Sequence, residues 1–143
     1  MAMFRAVVDT NIVVAAYRSS APASPNREVL ARWESGEFTL LYSDDMLFEY
    51  IEKLIEKGAS GAQVRQVVSS VLGTGERVEI ESFHLRRYPS DADDIAFVLC
   101  ALNGEATHLV TYDGGFAEVV REFDFAICEP LAFLAELRRS RVS

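Results

Sequence analysis

The sequence contains few of the side chains that several common kinds of functional site require. It has two cysteines and two histidines, which are scattered along the chain: His84, Cys100, His108 and Cys128. A structural zinc site needs about four such ligands at close spacing, so we do not expect zinc binding. The cysteines fall in a predicted helix and a predicted strand, where free, buried thiols are expected. No arrangement of serine, histidine and cysteine indicates a nucleophilic triad.

Long apolar runs and targeting signals are also missing. No apolar run approaches the roughly 18 residues that a membrane span needs, and residues 1–5 lead into a strand without the layout of a signal peptide. We therefore expect a soluble, cytoplasmic protein with no membrane contact. No glycine-rich dinucleotide-binding pattern follows the first predicted strand. With 143 residues, half of them hydrophobic, the chain is predicted to form one domain over 1–143.

Positive charge is scarce in this chain. Lys and Arg together number 14, against 22 Asp and Glu, so the formal net charge is −8. This balance argues against broad, non-specific duplex binding, which depends on neutralising phosphates with Lys and Arg. It remains compatible with a nucleic-acid enzyme, because active-site carboxylates add to the negative count and a bound divalent cation reverses the local field.

Strand and helix patterns alternate along nearly the whole chain. Predicted strands lie at 6–8, 38–42, 78–80, 108–111 and 125–128, and predicted helices at 12–17, 25–35, 43–57, 61–72, 91–103, 116–123 and 130–138. This alternation is typical of an α/β protein with a parallel, doubly wound sheet. The helix at 43–57 is predicted to bury one apolar face: Met46, Leu47, Tyr50, Ile51, Leu54 and Ile55.

Acidic residues recur where predicted strands end and where helices begin. Asp9 follows the first strand and Asp113 follows the fourth, at the edge where open parallel sheets bind ligands. On the helix at 91–103, Asp91 and Asp94 share the inward face with Val98. A carboxylate on an apolar face needs a partner. Because the chain has only two lysines, a divalent cation is the economical partner.

Some of these acidic residues have plain structural alternatives. Asp9 is also suited to be an ordinary helix N-cap. Glu49 belongs by periodicity with Glu52 and Glu56 on a solvated helix face, so the residue pattern alone does not select it.

Four stretches together resemble PIN-domain proteins, in particular the VapC-like toxins of bacterial toxin–antitoxin systems. They are Val7-Val8-Asp9-Thr10-Asn11, the segment from Ser43 through Glu49-Tyr50, Asp94-Ile95-Ala96, and Leu109-Val110-Thr111-Tyr112-Asp113. The resemblance implies a three-layer α/β/α sandwich around a five-stranded parallel sheet, with acidic residues converging on one or two Mg²⁺ or Mn²⁺ ions. It also implies a homodimer.

The resemblance assigns roles to individual positions. The implied catalytic residues are Asp9, Glu49, Asp94 and Asp113, and Glu49 enters on resemblance alone. Metal binding is implied for Asp9, Asp94 and Asp113, and polar support for Asn11, Thr111 and Asp91. The chain departs from the family at Tyr112, where many members have Gly or another small residue, and at Gly114-Gly115, where a charged pair is more usual. Arg86 and Arg87 lie in a predicted loop that we assign to substrate binding.

The leading hypothesis is a Mg²⁺- or Mn²⁺-dependent endoribonuclease that acts on RNA and has an antitoxin protein as partner. Bound metal lowers the pKa of a water that attacks the phosphodiester, and Glu49 is expected to orient that water. Two alternatives stay open. One is a catalytically silent binding module that keeps the acidic pocket. The other is a haloacid-dehalogenase-like phosphatase, although the second aspartate of that pattern is replaced here by Asn11.

Overall fold

A five-stranded sheet forms the centre of the protein, and all of its strand pairs are parallel. The computed structural model describes residues 4–18, 24–83, 85, 89, 94–114, 116 and 124–142. The strand order is β3-β2-β1-β4-β5, with β1 at Arg5–Val8, β2 at Thr39–Tyr42, β3 at Glu76–Arg77, β4 at His108–Val110 and β5 at Ala126–Cys128. The predicted parallel sheet is thus confirmed.

Helices cover both faces of this sheet. They are α1 (Thr10–Arg18), α2 (Pro25–Glu34), α3 (Asp44–Glu56), α4 (Gly61–Thr74), α5 (Asp94–Asn103) and α6 (Pro130–Val142). Helix α5 packs on β1, β2 and β4 and also contacts α3, whereas α6 packs on β4 and contacts α2. The predicted three-layer α/β/α sandwich is therefore confirmed. Among the described residues, none of the helices has the length and apolar composition needed to cross a membrane.

The central strand β1 is buried along most of its length and pairs with β4 in parallel. Ala6, Val7 and Val8 are completely inaccessible to solvent, as expected for a parallel strand covered on both faces. Val8 lies beside Val110 of β4 in register, so the segments that follow these two strands leave the sheet side by side.

The third strand differs from its prediction. It lies at Glu76–Arg77, where it pairs with the end of β2, and not at 78–80. Both residues are exposed and are held by ion pairs, with Arg5 at 2.5 Å and with Asp44 at 2.7 Å. An edge strand held in this way carries no apolar pattern, and the prediction followed the nearby apolar residues instead.

Helix α3 agrees with its predicted boundaries but not with the whole of its predicted apolar face. Ser43 caps its start by accepting a hydrogen bond from the backbone N–H of Met46 at 3.3 Å. Tyr50 and Leu54 are buried as predicted, whereas Ile55 is 61% exposed. The predicted helix at 116–123 lies, apart from Phe116, outside the described residues.

Candidate active site

A chain of hydrogen bonds joins the segments that leave β1 and β4. The Thr111 hydroxyl donates to Oδ2 of Asp9 at 2.7 Å. The backbone N–H of Asp113 donates to the same Thr111 oxygen at 3.0 Å, and the backbone N–H of Asp9 donates to the carbonyl of Val110 at 2.9 Å. Because β1 and β4 are parallel neighbours, Asp9, Thr111 and Asp113 meet at the carboxyl edge of the sheet.

Two of the predicted carboxylates are deeply buried. Asp9 is 7% exposed and Asp94 is 8% exposed. Asp94 is the first residue of α5, and Val98, one turn later, is also buried, so the inward face predicted for this helix is confirmed at these two positions. Asp113, in contrast, is exposed. Buried carboxylates require compensating hydrogen bonds or charges, so Asp9 and Asp94 are costly to the fold and strong candidates for function.

Tyr50 connects α3 with the end of β1. Its side chain is fully buried, and its hydroxyl donates a hydrogen bond to the carbonyl of Val8, the residue before Asp9. Burial raises the pKa of Tyr50 well above its usual value, and the nearby ionisable groups Cys100, Asp9 and Glu49 raise it further. Asp9 and Glu49 therefore both act electrostatically on one hydroxyl.

Glu49 differs from the other glutamates of α3. It is half-buried, whereas Glu52 and Glu56 are exposed. Periodicity alone groups all three on the solvated face, so the position of Glu49 is set by the packing of α3 beside α1 and α5. Asn11 is exposed in the first turn of α1. The supporting residue Asp91 and the candidate substrate-binding residues Arg86 and Arg87 lie outside the described residues.

Thr10 is a feature of the site that sequence reasoning missed. Its side chain is 3% exposed, and its hydroxyl oxygen has no hydrogen-bond partner within the described structure. Buried hydroxyls without partners are rare in native proteins. The only sequence signal for Thr10 was its position directly after Asp9. β-Branched residues are common in the first turn of a helix, so this position alone does not indicate a functional role.

The donor set fits a hard divalent cation in an open site. No three His, Cys, Asp or Glu side chains of the described residues lie close enough together to hold a metal ion by themselves. Mg²⁺, however, is usually held by one or two carboxylates together with waters and substrate phosphates. Asp9 and Asp94 supply buried carboxylates, and Thr10 supplies a buried oxygen that lacks a partner.

The thiols and His108 are unsuited to nucleophilic catalysis. Burial raises the pKa of Cys100 to about 12 and that of Cys128 to about 12, with a further contribution to Cys128 from Glu136. Both cysteines are free thiols, as predicted, and Cys100 is buried, whereas Cys128 is only half-buried, contrary to the prediction. The ring of His108 is buried against Phe133, and its Nε2 lies 2.7 Å from a carboxylate oxygen of Glu136. These groups belong to the core.

The described residues also form cavities that do not include the acidic edge. One, of about 530 Å³, lies between α1, α2 and α4 and is lined by Tyr17, Arg27 and Gln63 among others. Another, of about 330 Å³, adjoins β3 and the start of α3. Neither of these two cavities is lined by Asp9, Asp94 or Thr111.

Comparisons with known proteins support the fold described above. Residues 5–114 match the sequence family described as the PIN domain. The structure is similar to that of VapBC2 from Rickettsia felis bound to a DNA fragment from its promoter, with a TM-score of 0.61 and 17% identity over 87% of this chain and 97% of that chain. It is also similar to the PIN domain of T. brucei RRP44, with a TM-score of 0.55 and 12% identity over 98% of this chain and 84% of that one. No curated protein has a sequence that matches this chain significantly.

Proposed function

Because this chain belongs to the PIN-domain family, whose members are generally nucleases, we propose that it is a metal-dependent endoribonuclease and the toxin of a toxin–antitoxin pair. The observation that carries the proposal is the hydrogen-bonded chain of Asp9, Thr111 and Asp113 at the carboxyl ends of β1 and β4. This chain fixes the buried Asp9 carboxylate and the backbone of Asp113, whose side chain is exposed, at the same edge of the sheet.

The residues of the site divide the chemistry between them. Asp9 and Asp94 would hold the metal, and Asp113 would bind it directly or through a water. Bound Mg²⁺ or Mn²⁺ would supply an acidified water and neutralise charge on the phosphate. Thr111 keeps the Asp9 carboxylate in one orientation, and Glu49 would orient the attacking water and accept its proton.

The proposed partners are RNA, an antitoxin protein and a second copy of this chain, in the cytoplasm. The similarity to VapBC2, which is described on its promoter DNA, supports the antitoxin. We expect the antitoxin to present an Arg or Lys side chain to the acidic edge, because charge-assisted hydrogen bonds to carboxylates are strong.

The direct test is cleavage of a broad panel of RNAs by the purified protein. We expect cleavage with Mg²⁺ or Mn²⁺, none with EDTA, and none by Asp9→Asn. The matched control is Asp124→Asn, because Asp124 is an exposed carboxylate just before β5, at the opposite edge of the sheet. Cleavage that survives chelation, or Asp9→Asn protein that cleaves normally, would refute the proposal. RNA binding without cleavage would instead indicate the catalytically silent module.

The toxin assignment has a separate test in growing cells. Expression without an antitoxin should slow growth, and Asp9→Asn should relieve this effect while Asp124→Asn should not. If wild type and Asp9→Asn are equally toxic at equal protein levels, the growth defect is a burden of expression and the toxin assignment fails.

A further inference from the structure

We propose that Tyr112 is a stacking surface for one nucleobase of a single-stranded RNA bound at the acidic edge. This inference rests on the proposed nuclease function and adds a base-binding subsite to it. Tyr112 lies between Thr111 and Asp113 in the chain, and its side chain is 49% exposed. Its two neighbours in the chain, Thr111 and Asp113, belong to the chain of hydrogen bonds that orients Asp9.

The ring of Tyr112 is held in place in the free protein. Its hydroxyl donates a hydrogen bond of 2.8 Å to Oδ1 of Asn26, in the first turn of α2. An anchored ring loses little rotational freedom when a ligand stacks on it, so binding costs less than at a freely rotating surface tyrosine.

The charges around Tyr112 favour a base over a phosphate. Glu129 acts electrostatically on the Tyr112 hydroxyl, and the exposed Asp113 is the next residue in the chain. The charge of Glu129 disfavours a phosphate at the tyrosine ring itself, whereas an aromatic face attracts any nucleobase that is free to unstack. Such bases occur in single-stranded RNA, loops and bulges, so the substrate class implied is RNA with an unpaired base next to the cleaved bond.

The test uses a short single-stranded RNA that the protein cleaves at one site. An abasic nucleotide replaces each position in turn, and kcat/KM is measured for wild type, Tyr112→Leu and Tyr112→Phe. We expect one position at which base removal lowers the wild-type value about 5- to 150-fold, the range for loss of one stacked base. On intact RNA, Tyr112→Leu should have a kcat/KM lower than that of wild type by a similar factor, and removal of the base at that position should not lower it further. Tyr112→Phe should still lose kcat/KM when that base is removed.

Phe83→Leu is the matched control, because Phe83 is a 65% exposed aromatic in the segment that follows β3 in the chain and is not part of the proposed site. It should keep the wild-type pattern. The proposal is overturned if the effects of Tyr112→Leu and base removal multiply, or if Tyr112→Leu cleaves intact RNA as fast as wild type does.

A second measurement needs no variant and no turnover. RNAs with 2-aminopurine at each position are bound to wild-type protein in EDTA, and quenching is expected at the position that the abasic series identifies. Unchanged fluorescence at every position of RNA that is bound under the same conditions would overturn the stacking proposal even if RNA is cleaved. Quenching at one position without any cleavage in Mg²⁺ would retain the base subsite and refute the nuclease instead.

Discussion

At the scale of single residues, Thr111 is the link on which the geometry of the site depends. Its hydroxyl donates to Asp9 and accepts from the backbone of Asp113. Thr111→Val keeps the shape of the side chain but removes both hydrogen bonds. We expect the free energy of unfolding in urea to fall by about 1–3 kcal/mol, the cost of leaving buried polar groups unsatisfied. Cleavage should fall about 10- to 100-fold, as for other residues that orient metal ligands.

Thr107 offers a matched control for this change. Its hydroxyl joins β4 to β1 at the amino edge, where it donates to the carbonyl of Arg5 and accepts from the Arg5 backbone N–H, both at 2.9 Å. Thr107→Val should lose a similar amount of stability but keep its activity after correction for the folded fraction. If both variants lose activity equally, Thr111 contributes only to folding.

The sequence indicated residues that follow predicted strands and one residue on the apolar face of a helix. Asp9 and Asp113 could be placed because parallel strands end at the same edge, and Asp94 because it shares a helix face with Val98. Thr111 was assigned from the resemblance to PIN-domain proteins alone.

Tyr50 and Thr10 could not be placed from the sequence, because their roles depend on which elements become neighbours in space. The strand order β3-β2-β1-β4-β5 brings the hydroxyl of Tyr50 to the end of β1, and no local pattern encodes that order.

At the scale of elements, α3 and α4 have comparable N-caps but only α3 carries a candidate site residue. Ser43 caps α3, and Ser60 forms a capping box with Gln63 at the start of α4. Ser43→Ala and Ser60→Ala should each cost about 0.5–2 kcal/mol of unfolding free energy, the usual range for lost caps. Only Ser43→Ala should also lower RNA cleavage under conditions where both variants are fully folded, because α3 holds Glu49.

Unfolding in urea and cleavage assays on the same preparations measure these effects. Full activity in Ser43→Ala protein would show that the position of Glu49 does not depend on the cap at the start of α3. It would also weaken the role of Glu49, which the residue pattern did not select.

Elements with an apolar pattern were predictable, and those held by polar contacts were not. The central strand β1 and the apolar helix α5 follow from hydrophobic runs, because burial on both sides demands them. Strand β3 is an exposed edge strand that ion pairs hold in place, so no hydrophobic signal marks its residues. Ile55 was wrongly predicted to be buried. It has the helical spacing of the apolar face, but it stays exposed because no other element of the described structure covers it.

At the scale of the whole molecule, the net charge of −8 leaves few cations for the proposed contact with RNA. Several arginines of the described residues are engaged in ion pairs: Arg5, Arg32, Arg77 and Arg138. Arg86 and Arg87 remain our proposed phosphate contacts. Charge reversal of both should weaken RNA binding to Asp9→Asn protein and reduce the slope of log K against log salt by about 1.4, which is about 0.7 for each lost contact with a single strand.

Arg65→Glu is the matched control, because Arg65 is exposed on α4 and lies outside the proposed site. It should change affinity slightly and leave the salt slope nearly unchanged. An unaltered slope after reversal of Arg86 and Arg87 would exclude these two residues from phosphate binding.

The central claim is that the buried carboxylates hold a metal and are not merely part of the scaffold. Thermal unfolding of wild type and Asp94→Asn, each with EDTA and with Mn²⁺, tests it most directly. Carboxylates that share a metal site repel one another when the metal is absent. In EDTA, Asp94→Asn should therefore be as stable as wild type or more stable by about 1 kcal/mol, roughly one pKa unit of interaction.

Added Mn²⁺ stabilises only by binding the folded state, which amounts to about 2.7 kcal/mol at a hundredfold excess over Kd. Wild type and the control Asp124→Asn should show this gain in melting temperature, and Asp94→Asn should lose most of it. If Asp94 is only a helix cap or a buried hydrogen-bond partner, Asp94→Asn costs about 0.5–2 kcal/mol in EDTA. A destabilised Asp94→Asn protein that gains as much from Mn²⁺ as wild type would contradict the metal site.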